Sequence, residues 1–95
     1  MKRPDLSPGE QIQRARNAKR LFDDEILIEA FEMAEVAFAQ QWRDSEPKDV
    51  AARESAYAKI QALAEVQRVL RSIISDGELQ VGRLRRKGAS EVPSI

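Results

Sequence analysis

Leu27, Phe31, Ala34, Phe38 and Trp42 follow one another at spacings of 4, 3, 4 and 4, the period of one face of an α-helix. Ile28, Ala30, Met33 and Ala37 widen that stripe into a broad apolar face. Asp23 and Asp24 stand before it as capping residues, and Glu25 suits the first turn. Residues 24–43 are therefore expected to form a helix. The run from Arg43 to Lys48 interrupts it, because Pro47 cannot continue a helix. Asp49 then caps a further helix over residues 50–76. Its seam reads Ala52, Ala56, Ile60, Leu63, Val66 or Gln67, Leu70, Ile73 and Ile74, with Tyr57 and Val69 at its flanks. Gln67 sits either at the margin of that seam or within it as a polar residue that sets register. Gly77 is read as the left-handed residue just past the helix end.

A linker this short between two long helices predicts an antiparallel helical hairpin. The helices run to about 18 and about 27 residues, so the second overhangs the first by roughly a dozen ångströms. Upstream, Ser7, Pro8 and Glu10 carry the signature of a capping box with proline at the first helical position. They open a short N-terminal helix over residues 8–21. Its apolar positions are Ile12, Ala15, Ala18, Leu21 and Phe22, a thin stripe for a helix that must find support elsewhere. That helix, or a second copy of the chain, is the candidate to cover the overhang. Past Gly77 the pattern weakens. Residues 1–82 are read as one helical domain, and residues 83–95 as a basic, flexible tail.

The class expected is all-α. With 95 residues the chain is one domain or less, and its core is modest. It has no cysteine and no histidine, which excludes disulfides, thiolate or imidazole metal sites, and Cys–His or Ser–His–Asp nucleophile systems. No glycine-rich phosphate loop or Walker pattern occurs. The expectation is a protein without enzymatic activity, metal or cofactor. The longest strongly apolar run, Ile26-Leu27-Ile28, is far short of the ~20 residues of a membrane span. No secretory or lipidation motif is visible, so a soluble protein made in a cytoplasm is expected, with no membrane contact.

Charge is balanced in total, 16 basic against 16 acidic side chains, yet unevenly placed. Residues 1–20 hold six basic and two acidic groups, residues 21–82 six and thirteen, and residues 83–95 four and one. The ends are thus +4 and +3 around a middle of −7. Arg14, Arg16, Lys19 and Arg20 make the first helix basic, and Arg83, Arg85, Arg86 and Lys87 form a second cluster. These eight are the candidates for contact with a nucleic acid or an acidic partner. Solvated helix surface is the plainer reading of the first cluster, and a solubilising tail that of the second. A DNA-reading role for the first helix would place Asp23 and Asp24 close to the phosphates. Glu25, Glu29, Glu32 and Glu35 lie close to one face. A solvated or intersubunit-paired surface is the reading preferred over a metal or acid–base site, since no histidine accompanies them. Leu27, Phe31, Phe38, Trp42, Ile60, Leu63, Leu70, Ile73 and Ile74 are the candidate packing or oligomer seam. Phe38 and Trp42 either close the hairpin beside its loop or anchor a partner.

The segment Arg16 to Glu32, RNAKRLFDDEILIEAFE, resembles a recurring pattern, as do Trp42 and the later series Arg53-Glu54, Tyr57, Ile60, Leu63, Val66, Leu70, Ile73, Asp76-Gly77. Together they are similar to small helical proteins of uncharacterised role encoded among the head and packaging genes of tailed phages and prophages of proteobacteria. The likeness covers residues 14–78 and rests on caps and seam positions, so it assigns no functional residue. It implies a setting: particle assembly or DNA packaging, in the host cytoplasm or in the virion.

Three functions are weighed. One is an assembly protein, a homo-oligomer or a subunit on a larger head, portal or packaging component. Another is a small DNA-binding packaging subunit associated with the terminase. The last is an inhibitor that blocks a host protein with the acidic hairpin.

Overall fold

The structure, a computed structural model, describes residues 5–88. Among them are three helices and no strand: α1 Pro8–Phe22, α2 Glu25–Asp44 and α3 Val50–Arg86. The protein is all-α.

Each helix start follows from local chemistry. Glu10 N donates to the Ser7 hydroxyl at 3.2 Å while Ser7 N donates to the Glu10 carboxylate at 3.4 Å, closing the capping box of α1. Asp24 accepts from Ile26 N and Leu27 N at 2.9 and 3.0 Å at the head of α2. Asp49 accepts from Ala52 N at 3.0 Å at the head of α3. In each case a carboxylate or hydroxyl satisfies amides that have no partner inside the helix.

The end of α3 corrects the sequence reading. Gly77 lies buried inside the helix, which runs on for nine residues beyond it to Arg86. Among the described residues the one with positive φ is Gly88, at 77°, and Lys87 N and Gly88 N donate to the carbonyls of Arg83 and Arg85 as the helix closes. Arg83, Arg85 and Arg86 are therefore helical, not part of a flexible tail. The physical reason is that the 3–4 spacing does not stop at Gly77: Gln80, Val81 and Leu84 continue the seam of Leu70, Ile73 and Ile74. Residues 89–95 of the expected tail lie outside the described residues.

The contacts divide the chain into two units, Met1–Asp23 with Arg68–Ile95, and Asp24–Gln67. Helix α3 thus contributes residues 50–67 to one and 68–86 to the other.

In the first unit α1 lies along the C-terminal part of α3. Gln80 Nε2 donates to Gln11 Oε1 at 3.1 Å, and the Arg71 guanidinium sits 5.8 Å from the centre of the Phe22 ring. Interpolating between those pairs places Ala15 level with Gly77, and both are buried. Small residues at the same level let two backbones approach closely. Ile12, Ala15, Ala18 and Val81 form the buried apolar core here, with Gln80 the buried polar residue beside them.

In the second unit α2 meets the N-terminal part of α3. Glu35 Oε1 accepts from Gln67 Nε2 at 3.3 Å, Gln41 Oε1 accepts from Lys59 Nζ at 3.2 Å, and Arg53 stacks over Trp42 at 4.5 Å. Residue numbers rise along α2 as they fall along α3. Ala56 is the buried apolar residue of this unit, and α2 itself buries none.

Candidate interaction faces

The candidate seam residues are shared between the two units. Leu27, Phe31, Phe38, Ile60 and Leu63 are half-buried in the second, and Leu70, Ile73 and Ile74 in the first. Trp42 stays 42% exposed. Its ring packs beneath Arg53, where the electron-rich face attracts the guanidinium. Trp42, Pro47, Val50, Arg53 and Tyr57 line a shallow depression of about 390 Å³.

Around α2 the side chains sort into stripes. Leu27, Phe31, Ala34 and Phe38 form the half-buried one. Ile26, Ala30, Met33 and Ala37, about 100° away, are all exposed, Ile26 at 73% and Met33 at 64%. A further step around the helix come Glu25, Glu29, Glu32 and Val36, exposed too, with Val36 at 64%. Glu35 departs from the other three glutamates, since it turns toward α3 and holds Gln67. Gln67 is thus the polar partner of a glutamate at the seam margin. A groove of about 540 Å³ lies over Glu32, Met33, Val36, Ala37 and Gln40. This helix exposes apolar surface on a face that α3 does not cover, directly beside a row of carboxylates.

The two basic clusters lie in the same unit. On α1, Arg14 and Arg16 are half-buried while Lys19 and Arg20 are exposed, and Arg20 donates to the Asn17 side chain. At the end of α3, Arg83, Arg85, Arg86 and Lys87 are all exposed. The clusters are staggered along the helix pair, because Gln11 and Gln80 are level and Arg83 onward therefore lies toward or past the start of α1. With its twelve basic and six acidic residues this unit carries +6; the other, with four and ten, carries −6.

Sequence reasoning missed the Gln11–Gln80 pair and the buried positions of Gly77 and Val81. The signal that would have found them is the seam's continuation at 77, 80, 81 and 84. Among the described residues no group of three or more acidic side chains is placed to hold a metal ion. None of their helices is long and apolar enough to cross a membrane. No family model, curated protein or solved structure matches the chain.

Proposed function

We propose that this chain is a non-enzymatic assembly protein of a tailed phage or prophage. It works as a homo-oligomer or as a subunit on a larger head, portal or packaging component, in the host cytoplasm, with the virion as the alternative site. The observation that carries the assembly role is α2: twenty residues, none buried, with Ile26, Met33 and Val36 in water. A helix with that much exposed apolar surface gains by being covered, at roughly 25 cal/mol per Å² removed from water. The antiparallel hairpin belongs to this reading, and the opposite running of the α2 and α3 contacts supports it. The phage setting rests on the resemblance of residues 14–78. The test is absolute mass by light scattering after size exclusion, at low and high salt, with and without candidate head and portal proteins. A monomer that joins none of them overturns the proposal.

A second reading is favoured by one observation, the gathering of both basic clusters in a unit of net +6. In it the chain is a DNA-binding packaging subunit. Duplex affinity would then fall with salt at a log–log slope of about −0.9 per phosphate neutralised. Charge reversal at Arg83, Arg85, Arg86 and Lys87 that leaves duplex binding unchanged removes that cluster from the role.

A further inference from the structure

The exposed faces of the two units carry mirror-image patterns. On α2, Glu29, Glu32 and Val36 are spaced 3 and 4 along one stripe. On α3, Leu79, Arg83 and Arg86 are spaced 4 and 3 along another, on the side opposite Gly77, Gln80, Val81 and Leu84. All six residues are exposed, Val36 at 64% and Leu79 at 42%. Laid antiparallel with Val36 against Leu79, the helices bring Glu32 level with Arg83 and Glu29 level with Arg86. Four residues separate the apolar residue from the first charge on each side, and seven from the second. Equal spacing at 1.5 Å per residue keeps all three pairs in step.

We infer that the partner of the α2 face is a second copy of this chain, docked through the Leu79–Arg83–Arg86 face of its α3. This rests on the reading of the protein as self-associating, and it names the surfaces. Charge complementarity carries it: the unit that offers carboxylates is −6 and the one that offers guanidiniums is +6. Docking α2 on a second α2 instead would set glutamates against glutamates, which is unfavourable. The groove over Glu32, Met33, Val36, Ala37 and Gln40 receives the Leu79 side chain. The contact joins two different faces and is therefore heterologous, each copy offering its α2 face to the α3 face of another.

The experiment is a charge swap in trans. One variant carries Glu29→Arg and Glu32→Arg, the other Arg83→Glu and Arg86→Glu, and mass is measured by light scattering for each alone and for the 1:1 mixture. Wild type is expected to exceed the monomer mass at low salt, each variant alone to fall to the monomer, and the mixture to return to the wild-type mass. Every interface in the mixture then regains opposite charges, which a damaged fold could not do. Wild-type oligomer with both variants unaffected overturns this pairing and leaves the assembly reading standing. The pairing also falls if both variants are monomeric and the mixture fails to recover. A wild-type monomer at both salts overturns the pairing together with self-association.

Discussion

Gln80 Nε2 donates to Gln11 Oε1 across 3.1 Å, and Gln11 Nε2 donates in turn to the Leu6 carbonyl at 3.1 Å. Residues 69 positions apart in sequence are thereby joined, and the segment before α1 is tied to the same chain of amides. Gln80 is only 8% exposed, so its amide depends on a protein partner rather than on water.

Removing one end of that pair is expected to cost more than removing both. Gln80→Leu or Gln11→Leu alone leaves a polar group without its partner, at about 1–3 kcal/mol. The double variant should recover a good part of that loss. Urea unfolding of the four proteins gives the coupling energy directly, and simple additivity would show that the two amides act independently.

Glycines 77 and 82 should respond in opposite directions. A methyl group at Gly82 meets only the flexible end of Arg86, at 3.5 Å, so Gly82→Ala should gain about 0.5–1 kcal/mol from helix preference. Gly77 is buried inside α3, so Gly77→Leu adds side-chain volume to a covered helix face, at about 1–3 kcal/mol or more. Thermal melts of both variants check the contrast.

Ile12 is the largest fully buried side chain among the described residues, at 2% exposure. Ile12→Ala should destabilise by about 2–5 kcal/mol, through lost transfer energy and the cavity left behind. The loss should be seen in denaturant midpoints. A change below 1 kcal/mol would mean that α1 contributes little to holding its unit together.

Ser7→Ala removes the hydroxyl that accepts from Glu10 N and should cost about 1 kcal/mol. Because the apolar stripe of α1 is thin, the loss should appear first as lower helicity of α1. Amide exchange at residues 10–15 reads it.

The starts of all three helices were legible because each is set by residues within three positions of one another: Ser7 with Glu10, Asp24 with Leu27, Asp49 with Ala52. The end of α3 was not. A glycine inside an apolar seam has two physical explanations, a left-handed cap or a close helix approach, and only tertiary contact separates them. The buried core was also poorly legible. Phe31, Phe38 and Trp42 dominate the pattern by size, yet one facing helix covers only part of a large side chain. Ala15, Ala18 and Ala56 are buried because a side chain this small is covered by a single facing helix. The exposed acidic and basic faces could be counted in the sequence. Their assignment to separate units required the extension of α3 through Gly77.

One helix serving two companions has a thermodynamic consequence. If α1 detaches, the stretch from Leu70 to Leu84 keeps its apolar stripe but loses its cover; if α2 detaches, the same befalls Ala56 to Leu63. A bare stretch of that length is marginal as a helix in water. Deuterium uptake along α3 should therefore divide within a single unbroken element. Amides in residues 68–86 follow the opening of α1, and amides in residues 50–67 follow the opening of α2.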